Sequence, residues 1–255
     1  MQEHLQASLV YADRSGQMRE MLAARWILAD AFALGPVPVQ ECVDRCEGLV
    51  SIHGIEVPGV RMALGLFAAM SGRFDEAREM HDRARQITKE QLRVKRLVKF
   101  VAVSRGTIEL IAGDLPAAER EFRASLEIDR AIGEEREDFS QTAARLAFVL
   151  WRQGRDEDAA GMAELSVEAA PSESVAAQAL SSAARARATA DAELARKAVG
   201  LVPDEMLNLR ADVLVECAEV LRRAGDDNGA KDAVEEAARL YERKGNLAAI
   251  ALISA

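Results

Sequence analysis

The sequence predicts an all-α protein, a right-handed α-solenoid of about six helical hairpins. Three observations carry that expectation. Of 255 residues, 48 are Ala, six are Pro and 4% are aromatic, so helix formers abound and the β-branched and aromatic runs of a sheet protein are missing. Glycines at Gly35, Gly72, Gly113, Gly154 and Gly225 divide the chain at spacings of 37, 41, 41 and 71, the last near two repeats with one marker lost. Small residues recur at fixed offsets from the last four of these glycines: Gly65, Gly106, Ala147 and Ala218 before them, then Ala77, Ala118, Ala159 and Ala230, and then Ala84, Ser125, Ser166 and Ala237.

Each element follows in order. A helix over 3–14 precedes the first recognisable pair, 18–33 and 38–52, which flanks Gly35 and a turn lengthened by Pro36 and Pro38. The pairs 58–71 with 74–90, 92–112 with 115–131, and 138–153 with 156–170 flank Gly72, Gly113 and Gly154. The pair 173–188 with 190–201 replaces the glycine by the stretch Arg185 to Asp191, where the repeat is expected to be distorted. Helices over 204–224 and 227–243 flank Gly225, and a last one covers 246–253. Antiparallel helices approach to about 8 Å only where both present small side chains, which explains the repeated offsets. Larger residues such as Leu64, Phe67 and Met80, or Leu146, Val149, Leu150 and Leu165, fill the space between crossings. The turns GRFDEA, GDLPAAE, GRDEDA and GDDNGA set an Asp beside the next helix start, where it caps the helix or favours its dipole. No Pro-, Gly- or Ser-rich linker interrupts the series, so residues 1–255 are expected to form one repeat domain.

The segment LGLFAAMSGRFDEAREMHDRA, with Leu64, Gly65, Gly72, Phe74, Ala77 and Ala84 at the motif positions, resembles a tetratricopeptide repeat (TPR). More narrowly, GPVPVQECVDRCEGLV, GRFDEAREM, IELIAGDLPAAEREFR and AARLYERKGN resemble the C-terminal TPR region of large bacterial signalling proteins that carry nucleotide-cyclase or ATPase modules. The resemblance spans nearly the whole chain and implies TPR-like hairpins and a scaffold role; no catalytic module is present, so no catalytic residue transfers. Arg105 departs from it, standing where a large apolar residue is expected.

Chemistry is sparse. A net charge of −9 gives no footprint for nucleic acid, and uncharged stretches of eleven residues, 62–72 and 174–184, are far below the roughly 20 a spanning helix needs, so neither nucleic acid nor membrane is an expected partner. With no apolar leader and an odd three cysteines, the sequence points to the cytoplasm. Cys42 and Cys46, an i, i+4 pair near His53, invite a zinc reading, but Cys42 falls where other repeats carry Ala and Cys217 where they carry Leu, so buried thiols are expected. His4, His53 and His81 lie in no catalytic motif, and GIEVPGVRMALG lacks phosphate-loop spacing. The acidic run Glu134, Glu135, Glu137 and Asp138 and the basic cluster Lys89, Arg93, Lys95, Arg96 and Lys99 read as solvated faces, the latter able to dock an acidic partner. Neither a cofactor nor a metal is called for, and no enzymatic activity is expected.

Function is expected on the concave surface, which the first helix of each pair lines in this repeat class. Counting 13, 10, 6 and 3 residues back from each turn glycine gives Leu22, Arg25, Ala29 and Phe32, then Gly59, Met62, Leu66 and Ala69, then Phe100, Val103, Thr107 and Leu110. It continues with Gln141, Ala144, Phe148 and Trp151, and ends with Asp212, Val215, Glu219 and Arg222. Of these, Arg25, Phe32, Met62, Leu66, Val103, Thr107, Phe148, Trp151 and Arg222 form the candidate groove for a protein or peptide. Two alternatives stay open: the same side chains pack as core, or the groove closes around a small molecule and encloses Trp151. The Lys and Asn pair of carboxylate-clamp repeats is absent, its positions holding Arg25 with Ala29 and Met62 with Leu66. The apolar segment LAAIALI, 247–253, and the unpaired first helix read as contact surfaces, for a second copy, for other domains of a parent protein, or by folding back on Val234 and Leu240.

Overall fold

The computed structural model describes residues 2–92, 95–133 and 136–254, with side chains except those of 2–6, 15, 91–92 and 95–96. It is 82% helical. In chain order the elements are α1 (Gln2–Ser15), α2 (Met18–Leu34), α3 (Val39–Glu47), β1 (Ser51–Ile52), β2 (Ile55–Glu56), α4 (Pro58–Met70) and α5 (Phe74–Ile87). There follow α6 (Lys95–Ile111), α7 (Leu115–Ile132), α8 (Arg136–Arg152), α9 (Asp156–Ala169), α10 (Val175–Thr189), α11 (Ala192–Leu201), α12 (Leu207–Arg223), α13 (Asp227–Lys244) and α14 (Leu247–Ile253). Antiparallel hairpins α4/α5, α6/α7, α8/α9, α10/α11 and α12/α13 follow a shorter unit of α2 and α3, and α1 packs on α2.

The small residues sit where helices cross. A Cβ at Gly65 would lie 2.6 Å from the His81 ring, and one at Gly106 would lie 2.6 Å from the Phe122 ring. Gly72, Gly113, Gly154 and Gly225 adopt φ between 76° and 80°, the left-handed conformation that ends a helix cheaply only at glycine. Gly35 differs, with extended backbone at φ −81° and ψ −179°. Asp114 and Asp226 cap their helices through the backbone N–H groups of Ala117 and Gly229, whereas α5 and α9 carry Asp75, Asp156 and Asp158 in the first turn without a side-chain cap.

The structure departs from expectation at four places. The helix expected over 38–52 stops at Glu47, and a β1/β2 hairpin follows whose two-residue turn, His53 (φ 49°) and Gly54 (φ 81°), has the positive φ pair of a tight hairpin. Strands of two residues are too short for an alternating pattern to register. After α5 a π-helical turn, Thr88–Leu92, forms, and Thr88 Oγ1 donates to the Ala84 carbonyl at 2.8 Å. In the expected basic face, Lys99 is buried, its ammonium 2.9 Å from Asp129 and 2.8 Å from Asp138; Arg93 and the side chains of Lys95 and Arg96 lie outside the described residues. Of the acidic run expected to be solvated, Asp138 is thus an ion-pair partner and Glu137 accepts from Ser174 Oγ at 2.6 Å; Glu134 and Glu135 lie outside the described residues.

Arg105 works because a buried carboxylate accompanies it: Glu109 takes Arg105 Nε at 2.6 Å and Arg78 of α5 at 2.7 Å. Burial pushes Glu109 up, yet the two guanidinium groups hold its carboxyl below the usual range.

The superhelix returns on itself. Helix α12 touches α2, and α14 packs on α13, α4 and α6. At the closure, fully buried Lys244 donates from Nζ to the carbonyls of Phe32, Gly35 and Val37 at 2.6, 2.8 and 2.8 Å. Asn246 Nδ2 donates to Asn208 Oδ1 at 3.1 Å beside it. In the apolar segment 247–253 Ala249 is buried and Ile250 and Ile253 pack on the cluster that holds Leu240, while Leu247, Ala251 and Leu252 stay exposed.

Candidate functional site

The inner helices α2, α4, α6, α8, α10 and α12, with Tyr241 and α14, enclose a central cavity of about 520 Å³. Its walls are mostly apolar, from Leu66, Met70, Leu110, Phe148, Leu209 and Ile253. A hollow of about 480 Å³ shares Leu110, Arg152, Val215 and Ile253 with it and continues past Glu219 and Arg222. On the other side a hollow lined by Phe100 and Asp138 shares Glu137 and Glu173. Both hollows thus border the cavity.

Of the groove candidates, Leu66, Thr107 and Phe148 line the cavity, and Arg222 lines the adjoining hollow. The others lie elsewhere. Phe32 is buried under the Arg45 guanidinium, and Met62 packs with Ala84 and Val101. Val103 leans on the central core cluster, Trp151 is buried beneath Arg187 at 5.1 Å, and Arg25 pairs with Asp13 at 2.7 Å. Counting from the turns also placed Leu110, Gln141, Asp212 and Val215 on this surface, and all four line it.

Of the polar centre, the turn spacing reaches Asp212 but not Arg145, Arg152, Glu216 or Tyr241. Arg145 and Arg152 share one face of α8 with Gln141 and Phe148, at spacings of three and four residues that would have revealed them. Asp212 accepts the Tyr241 hydroxyl at 2.6 Å, and enclosure by the protein holds its carboxyl above the usual carboxylate range. Glu216, one turn along α12, takes Arg152 at 3.0 Å and buried Arg187, tying α8, α10 and α12 together. Enclosure likewise lowers the pKa of Arg145, which lies within long-range attraction of Asp212. Tyr241 comes from the second helix of its hairpin, where the inner-helix count does not look.

Cys42 and Cys46 are buried free thiols: Cys42 Sγ lies 3.3 Å from the Phe32 and Val37 carbonyls, and burial pushes Cys46 up to about 12. His53 is exposed at the hairpin turn. Among the described residues no group of three or more His, Cys, Asp or Glu is placed to hold a metal ion, and no helix is long and apolar enough to cross a membrane.

No protein-family model and no curated protein matches the sequence. Solved structures resemble the fold. The apo form of RapI superposes with a TM-score of 0.67 at 14% identity, over 95% of this chain and 98% of that one. BtubC (BKLC) from P. vanneervenii superposes at 0.52 with 15% identity, over 82% of this chain and 91% of that one. Together with the hairpin geometry, these likenesses define the class: an all-α solenoid of TPR-like helical hairpins.

Proposed function

We propose that this chain is a non-enzymatic, regulatory binding scaffold that takes a short segment of peptide or protein into its central cavity. The supporting observation is the cavity itself: α2, the inner helices of five hairpins and α14 surround it with apolar walls and a few convergent polar groups. That is the make-up of ligand pockets, which span about 300–1,000 Å³. Buried Trp151 and Phe32 belong to the packing that holds the wall in shape, and Phe148, Leu66 and Thr107 meet the occupant. The cavity's size also admits a small molecule, the second reading. Partners are proteins or peptides in the cytoplasm on this proposal, and the role within a larger signalling protein is part of it.

The test is affinity selection of short apolar peptides on wild-type protein, on Phe148→Ala and on Thr107→Phe, which places a ring in the cavity. Thr107 bonds only its own helix, at the Val103 carbonyl, so the substitution leaves tertiary hydrogen bonds intact. Peptides held by the wild type and lost by both variants, with unchanged far-ultraviolet circular dichroism, support the reading. Undiminished retention by Thr107→Phe removes the cavity from consideration.

A further inference from the structure

Of the two arginines in the cavity wall, Arg152 is ion-paired within the chain and, among the described residues, Arg145 is not. Glu216 is matched by Arg152 and Arg187, Glu137 accepts from Ser174, and Asp212 accepts from Tyr241. Arg145 has only Gln141 Oε1, at 3.5 Å, the limit of a hydrogen bond, and among the described residues no carboxylate lies within ion-pair distance of it. A partly buried guanidinium on the cavity wall with no carboxylate beside it keeps donors and a charge available to an acceptor that enters. Four acids share the wall, Glu137, Glu173, Asp212 and Glu216, so a doubly charged anion such as a phosphate ester meets repulsion there. A single carboxylate fits one planar fork in bidentate geometry. The walls on either side of it, Leu66, Leu110, Phe148 and Leu209, fit an apolar body. Arg25, the cation nearest the position used by carboxylate clamps, is already committed to Asp13.

We infer that Arg145 receives a carboxylate of the cavity's occupant, and that the ligand is therefore an apolar chain bearing one carboxylate. The inference rests on the cavity being the binding site proposed above. The carboxylate has two sources, the C-terminus of a peptide or a free aliphatic acid, and the experiment separates them.

Two libraries of apolar pentapeptides without Asp or Glu, one with free C-termini and one amidated, are offered to the full chain alongside decanoate. Retained probes are read by mass spectrometry on wild type, Arg145→Gln and Arg145→Lys. Wild type is expected to prefer the free acids by about tenfold, the scale of one charge-assisted hydrogen-bonded pair. Arg145→Gln abolishes that preference with the helix signal intact. Arg145→Lys, a point charge without the fork, keeps part of it, and serves as the comparison should the Gln variant unfold. Equal retention of acid and amide libraries, with decanoate unretained, overturns the inference and leaves the peptide reading standing. Decanoate held through Arg145 while neither library binds supports the carboxylate site and overturns the peptide reading. If wild type retains none of the probes, both fall.

Discussion

Gly106 and Gly161 both lie inside helices, yet they ask opposite things of a methyl group. At Gly106 the added carbon meets the Phe122 ring at 2.6 Å, whereas at Gly161 nothing lies within 4 Å. Gly106→Ala should therefore lower unfolding stability by about 1–3 kcal/mol through overpacking. Gly161→Ala should raise it by roughly 0.5–1 kcal/mol, because glycine is the poorer helix former. Urea titration of both variants checks the pair, and equal effects would contradict the crossing-point explanation. His81, packed over Gly65, gives the fold a pH dependence. Burial lowers its pKa from 6.5 to about 4, while Nε2–H donates to the Met62 carbonyl at 3.2 Å and buried Nδ1 has no partner to receive a second proton's bond. The unfolded chain thus binds a proton that the folded one refuses. The contribution is full above pH 6.5 and is lost as pH falls towards 4, by about 3 kcal/mol in all. Stability measured between pH 7 and 4 should fall less steeply in His81→Gln.

The α10/α11 turn is the one hairpin turn of the five that lacks glycine, and Ala190 there is forced to φ 53°. A left-handed alanine costs roughly 1–2 kcal/mol relative to glycine, part of which returns through the greater freedom of glycine in the unfolded chain. Ala190→Gly should stabilise by about 0.5–1 kcal/mol, read as a rise in urea midpoint; a loss of stability would mean the turn is held by something other than backbone conformation. This turn also shows what was legible in the sequence. The lost glycine marker was visible, and so was the register, because helix pairing depends on small residues at fixed offsets and those are written locally. Helix boundaries beside the marked turns followed for the same reason, whereas the ends of α3 and α5, which no marker flags, did not. What escaped were pairings between distant residues: Lys99 with Asp129 and Asp138, Arg78 with Glu109, and Arg187 with Glu216. A charge on a helix face looks the same in sequence whether water or a carboxylate from the next hairpin faces it. The site was half legible on that account, since its apolar wall repeats with the turns while Arg145 and Tyr241 fall outside the count.

Closure of the superhelix makes the whole molecule more than a stack. The inner surface is narrowed where α14 reaches α4 and the end of α13 reaches α2, and Lys244 fixes that meeting with three carbonyls. Burial lowers the pKa of this ammonium, so the contact carries a desolvation cost that its hydrogen bonds offset. Lys244→Met keeps the volume but removes the ammonium from all three carbonyls, leaving only the weak Cys42 thiol donor near those of Phe32 and Val37, which should cost roughly 2 kcal/mol. The same variant should enlarge the radius of gyration seen by small-angle scattering if the clasp sets the closure, and an unchanged radius would assign that role to the apolar contacts of α14.

A linear array of repeats unzips from whichever end is weaker, each unit depending only on its neighbours. Here residues 35 and 244, separated by 209 positions, are hydrogen-bonded to each other, so the first unit cannot fray without releasing the last. The order of events in folding follows. Local hairpins form early, and the clasp, whose loop-closure entropy is the largest in the molecule, forms last. Amide hydrogens of α2 and α13 should accordingly exchange in a single correlated step in the wild type, and at two separate rates once Lys244 is gone.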